Sequence, residues 1–259
     1  MPITPEVALH SVYSQVNGLR IHARIAEVAP AGSARLPIVL VHGLAVSSRY
    51  LAPTGRQIGL KRWVYAPDLP GFGASDRPNR VLDIPALAAA LLDWMDARGL
   101  ETAVMLGNSL GCQIIVDVGF RSPQRLAAAI LVGPTPDPAA RSVLAHAWRL
   151  ARDVPRESLS SILTQGSDYL RAGFRRTLAT MRYALADPFE HKLPLVAAPT
   201  LVVRGEHDPI APQRWCAQVA DRLPHGELLM IPAAPHALNH VRPVPLARAT
   251  LDFLARNGI

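Results

Sequence analysis

Lysine, cysteine and aromatic residues are scarce in this chain, and no apolar run is long. No stretch of about 18 uncharged apolar residues occurs, which excludes a membrane-spanning helix. The longest apolar segments, 84–92 and 126–134, have the size of core elements. Cys112 and Cys216 are the only cysteines. Two cysteines cannot build a disulfide framework, and neither sits in a metal-like spacing, so both are expected to be ordinary thiols. Residues 1–6 lack a basic start followed by an apolar stretch, so no secretory signal is expected, and a cytoplasmic location is. Of 27 basic residues only Lys61 and Lys192 are lysines. The arginines are scattered, with Arg175-Arg176 the one adjacent pair and no aromatic interleaving. A net charge of +7 in this arrangement argues against a nucleic-acid partner. A small-molecule substrate is the expected partner; no membrane is expected, and the oligomeric state is left open.

What is present is enough for one sizeable core. The chain has 259 residues, 49% hydrophobic and 18% charged, which argues against disorder. Residues 11–16 and 19–25 partly alternate around Asn17-Gly18, a hairpin signal. A loop is expected at 30–35. Apolar strands are expected at 37–43, 62–68, 102–106, 126–132, 199–204 and 228–231. Helices are expected at 84–98, 110–120, 212–223 and 244–256. Continuous apolar strands alternating with helices imply an α/β fold, with a mostly parallel sheet covered on both faces. From 136 to about 194 there is no strand candidate, only helical pieces at 141–152, 159–164 and 169–186. The expected organisation is a core from 1–135 and 196–259, with a small helical cap at 136–195.

Gly107-Asn108-Ser109-Leu110-Gly111 is the sharpest chemical signal. G-x-S-x-G is weak alone, but here an apolar strand runs in and an apolar helix runs out. Such a turn holds a serine exposed in a strained conformation, and its glycines let strand and helix approach closely. A serine nucleophile needs a base, and the base an orienting carboxylate. His236 follows the last strand candidate and Asp208 the one before it, so all three residues fall at one sheet edge. The chain order Ser109, Asp208, His236 is one such a sheet supports. His42-Gly43-Leu44 ends an early strand at the same edge, so the backbone N–H groups of Leu44 and Leu110 are the candidate oxyanion donors. His240 is a rival base if the turn is shifted.

On these residues the chain resembles the α/β-hydrolase superfamily, in its lidded branch with a serine nucleophile. The resemblance covers nearly the whole chain: Val16-Asn17-Gly18-Leu19, Val41-His42-Gly43, the turn from Asp68 to Asp76, the elbow, the segment from Arg204 to Pro209 and that from Pro235 to Asn239. It implies Ser109 as nucleophile, His236 as base and then acid, and Asp208 as orienting acid, with no metal or organic cofactor. It also implies a carboxylesterase-like serine hydrolase that forms an acyl-enzyme from a small or medium ester. A carbon–carbon bond hydrolase of ring-cleavage products, a cofactor-free perhydrolase and a small-molecule binding protein are the alternatives. Cys112 stands where relatives often have a second glycine. Some relatives take their acid from after the preceding strand, which makes Asp137 a rival acid. Asp68 and Ser75-Asp76 belong to a turn typical of the fold and are expected to be structural. Serine at 109 speaks against dehalogenase and epoxide hydrolase relatives, which place aspartate there. Residues 141–192 carry nine Arg/Lys against five Asp/Glu, which suggests a carboxylate-bearing substrate.

Overall fold

The apolar runs become strands and the periodic segments become helices, in a computed structural model that describes residues 6–27 and 36–259. The loop expected at 30–35 lies outside the described residues. The strands are β1 (His10–Val16), β2 (Leu19–Ala26), β3 (Ile38–Val41), β4 (Val64–Pro67), β5 (Ala103–Asn108), β6 (Leu126–Val132), β7 (Thr200–Gly205) and β8 (Gly226–Ile231). The helices are α1 (Ser48–Ile58), α2 (Ile84–Ala97), α3 (Leu110–Arg121), α4 (Val143–Asp153), α5 (Leu159–Ala172), α6 (Phe174–Ala186), α7 (Phe189–Lys192), α8 (Gln213–Arg222), α9 (Leu238–Val241) and α10 (Pro243–Arg256).

All eight strands form one sheet in the order β1-β2-β4-β3-β5-β6-β7-β8. The β1–β2 hairpin turns through Asn17 (φ 49°) and Gly18 (φ 78°), a pair of positive φ values that matches the twist of the flanking strands. β2 pairs antiparallel with β4, and every later pairing is parallel. Period-2 alternation divides the core. In β5, Met105 joins Leu91, Trp94, Ile115 and Trp215 on one face, while Val104 and Leu106 join Leu51, Ile58, Leu246 and Phe253 on the other. Because β3 and β5–β8 run in parallel, their C-terminal ends, and the loops that follow, share one edge.

One helix is unexpected and one expectation is corrected. Helix α1 carries Pro53 and Gly55, which interrupt the pattern by which a sequence announces a helix. The helical break expected between 164 and 169 falls instead at Gly173, whose φ of 80° ends α5 and whose N–H bonds Tyr169 O at 3.0 Å. Gly166 is absorbed within α5.

Asp68 is the structural residue its turn suggested. Its carboxylate accepts from Ser48 N–H at 2.6 Å and Ala74 N–H at 2.8 Å, and it lies 2.8 Å from His22 Nδ1. Burial works to raise its pKa, but these bonds and nearby His42 hold it at about 2, below the ordinary 3.8. A depressed carboxyl stabilises the fold above its unfolded pKa and loses that contribution as pH falls through its folded pKa. Asp68→Asn is therefore expected to cost about 2 kcal/mol at pH 7, shrinking towards pH 2. Urea unfolding at pH 7, 4.5 and 3 measures it.

Candidate active site

Ser109 joins β5 to α3 at φ 55° and ψ −115°, a conformation that costs of order 1–3 kcal/mol in a non-glycine residue. The surroundings impose it. Ser109 N–H donates to Val132 O at 2.9 Å. A Cβ on Gly107 would lie 2.7 Å from Gly111 C, and one on Gly111 only 2.2 Å from Val41 O. Glycine at both positions lets the start of α3 sit directly on β5 and β3. Gly43 packs in the same way beside Asn108 and Ser109. His42 steadies that loop: its Nδ1 is 2.9 Å from Gly43 O and its Nε2 accepts from Leu69 N–H at 3.0 Å. Burial, the largest influence on its pKa, lowers it. Cys112 fills the space after the elbow as a buried free thiol.

His236, in the loop after β8, places Nδ1 at 2.8 Å from Asp208 Oδ2. The other carboxylate oxygen accepts from Ile210 N–H at 2.7 Å and Ala211 N–H at 2.9 Å. Arg204, at the end of β7, donates to the carbonyls of Ala211, Glu206 and Asp208 at 2.9–3.0 Å, which closes the acid's loop around a buried cation. Asn108 Nδ2 donates to Val132 O at 3.2 Å and to His236 O at 3.3 Å, tying the elbow to the histidine loop. Gly133 (φ 54°) backs the pair: a Cβ there would lie 2.9 Å from both Asp208 Oδ2 and His236 Nδ1. The rival acid is engaged elsewhere, since Asp137 pairs with Arg149 at 2.8 Å and Arg214 at 2.5 Å. The rival base is too: His240 stacks on Tyr50, with its ring nitrogens at Tyr50 O and Ser160 Oγ.

Ser109 and His236 face one narrow cavity of about 30 Å³, together with Gly43, Leu44, Asn108 and His146. The hydrogen bond of Ser109 Oγ goes to Thr135 Oγ1 at 3.4 Å rather than to His236. Such bonds often tighten only around bound substrate. Leu44 lines the cavity, and Leu110 opens α3, where a first-turn N–H has no partner within the helix. No arginine or lysine lines the cavity. Of the nine basic residues of 141–192, Arg141 pairs with Glu190, Arg149 with Asp137, and Lys192 with Asp117 and Asp187.

The sequence reading missed Gly133, Thr135, His146, Asp153 and Glu157. A glycine directly after an apolar strand, as at Gly43, was the one available signal for Gly133. Asp153 and Glu157 come from the helical segment and accept from the backbone N–H groups of His236 (3.2 Å) and Ala237 (3.1 Å). Burial lowers the His236 pKa, but Asp208 foremost, then Asp153 and Glu157, push it up to about 9. An imidazole can accept a proton only when neutral, so if His236 serves as the base, kcat/KM is expected to rise with pH to a half-maximum near 9 rather than near 6.5. Asp153→Asn keeps an acceptor for His236 N–H and is expected to move that limb to lower pH; a pH–rate profile reads both.

Residues 38–249 match the model of the alpha/beta hydrolase family. The pimeloyl-[acyl-carrier protein] methyl ester esterase of Edwardsiella ictaluri is 27% identical, over 86% of this chain and 94% of its own. The 2-hydroxymuconate semialdehyde hydrolase of Pseudomonas putida is 26% identical, over 85% and 87%. Among solved structures, the enol-lactonase of Burkholderia xenovorans LB400 superposes with a TM-score of 0.77 at 22% identity, covering 94% of this chain and 100% of that one. With an eight-stranded, mostly parallel sheet, a serine elbow after β5 and a family match across most of its length, the chain belongs to the alpha/beta hydrolase family.

Proposed function

We propose that the chain is a serine hydrolase acting on small to medium carboxylic esters, with residues 136–195 serving as a cap over its site. The observation that carries this reading is the 2.8 Å Asp208–His236 pair facing the same cavity as the strained Ser109. Ser109 Oγ attacks the ester carbonyl carbon while His236 Nε2 takes the hydroxyl proton. Asp208 remains ionised, holds the proton on Nδ1 and stabilises the imidazolium. The N–H groups of Leu44 and Leu110 receive the oxyanion, each contributing about 3–4 kcal/mol to the barrier reduction. As the tetrahedral adduct collapses, the leaving alkoxide takes the proton from Nε2 and the acyl group stays on Ser109. Water, deprotonated by His236, then releases the acid and restores the serine.

The cavity offers no arginine or lysine to hold a carboxylate-bearing ester, and His236 must be neutral to act as base, so neutral esters are the expected substrates. A second reading, carbon–carbon bond hydrolysis, draws support from the likeness to the 2-hydroxymuconate semialdehyde hydrolase. The test is a p-nitrophenyl ester series of rising chain length, followed by fluorophosphonate labelling and peptide mass mapping. Hydrolysis with a single adduct on Ser109 is expected. Turnover of a vinylogous diketone but not of the esters would move the assignment to carbon–carbon cleavage. Labelling without turnover of either would favour a binding protein, and hydrolysis without a Ser109 adduct would refute the nucleophile.

A further inference from the structure

Helix α5 is built inside out. Its buried positions are Ser161, Asp168 and Ala172. Leu159, Leu163 and Leu170, which fall within about 40° of one another on a helical wheel, point outward, and Leu170 is 85% exposed. On α4 the i,i+4 pair Leu144 and Trp148 is also exposed, and Phe174 at the head of α6 adds a third apolar group. A soluble helix ordinarily turns such a row towards the core, and large exposed apolar surfaces mark interaction sites.

The charges of this segment are sorted as well. Arg152, Arg156, Arg171, Arg175 and Arg182 are exposed, whereas none of its five acids is. Each acid turns inward to a partner: Asp153 to His236 N–H, Glu157 to Ala237 N–H, Asp168 to Ser47 and Arg49, Asp187 to Lys192 and Glu190 to Arg141. The outer face therefore presents leucine, tryptophan and phenylalanine among charges of one sign. Between α4 and α5 it also holds a cavity of about 190 Å³, walled by Val154, Ile162 and Gly166 together with the inward-turned Asp153 and Glu157. That cavity shares Leu150, Gln165 and Tyr169 with the one at Ser109.

We propose that the outer face of α4, α5 and the start of α6 docks on an anionic lipid surface. Arginines attract the headgroups while the apolar rows enter the headgroup–acyl boundary. Charge decides against a second copy of this chain, because a twofold contact would set the same arginines against themselves. The expectation of no membrane partner rested on the absence of a spanning segment, which peripheral docking does not require.

The experiment is co-sedimentation with vesicles of phosphatidylcholine alone or mixed with phosphatidylglycerol, at low and high salt. Anionic vesicles are expected to bind the protein about tenfold or more tightly than neutral ones, with binding weakened by salt. Arg171→Glu/Arg175→Glu and Leu163→Asp/Leu170→Asp should each weaken binding about tenfold while the thermal midpoint holds. Trp148 emission should shift to the blue on anionic vesicles, a change lost in Trp148→Phe. No vesicle binding, equal binding to both vesicle types, or a lipid-free dimer dissolved by the leucine variant would overturn the proposal. Vesicle binding does not depend on turnover, so its failure is distinct from a failure of the esterase reading.

Discussion

Ser109→Ala should lower kcat/KM for a short p-nitrophenyl ester by about 10⁴- to 10⁶-fold, leaving the residual catalysis that the oxyanion donors alone provide. Nothing else at the site has an equivalent nucleophile: Thr135 Oγ1 lies 3.4 Å from Ser109 Oγ, but its own neighbours are Ser109 and Gln113 rather than the histidine. Both Cys112 and Cys216 are buried free thiols whose pKa values burial raises, so neither supplies a thiolate. A companion variant reads the strain directly. Ser109→Gly removes the Cβ penalty at φ 55° and should raise Tm by about 2–6 °C while abolishing turnover to the same degree. Stopped-assay kinetics and calorimetry on the two variants separate lost chemistry from a damaged fold.

The second large effect is expected at Asp208. Its Oδ1 is committed to the N–H groups of Ile210 and Ala211, so an asparagine there must keep its carbonyl oxygen on that side. The amide NH₂ then faces His236 Nδ1, where Asp208 Oδ2 now lies at 2.8 Å. A donor in that place drives the imidazole proton to Nε2, the nitrogen that must accept from serine. Asp208→Asn should therefore cost about 10⁴-fold in kcat with the fold intact. Asp137→Asn provides the contrast. Its carboxylate holds Arg149 and Arg214, so the variant should lose about 1–3 kcal/mol of stability and change kcat little. A pair of kcat values and a pair of urea midpoints check the assignment.

The edge of the sheet was legible because each candidate site residue follows a largely apolar strand. His42, Ser109, Asp208 and His236 come after β3, β5, β7 and β8, and parallel strands carry all four loops to one side. The parts that escaped notice have other physical origins. Helix α1 carries Pro53 and Gly55 inside its span, which break the pattern without breaking the helix. Asp153 and Glu157 act on His236 and Ala237 across 83 and 80 residues, and no local periodicity encodes such a contact. Charge counts were incomplete for a related reason. Nine basic residues against five acids said nothing about facing, and the structure turns the acids inward and the arginines either outward or into pairs.

Asn108 reaches across 128 positions of chain to the carbonyl of His236, and that span has a consequence in time. At roughly 5–20 residues per second of synthesis, about 6–25 s pass between the emergence of Ser109 and that of His236. During that interval the elbow has its glycines and its strand but no imidazole, and β8 is not there to deliver one. Under the proposed mechanism a nascent chain therefore carries an inert serine, and hydrolytic competence arrives only when the last strand of the sheet is laid down.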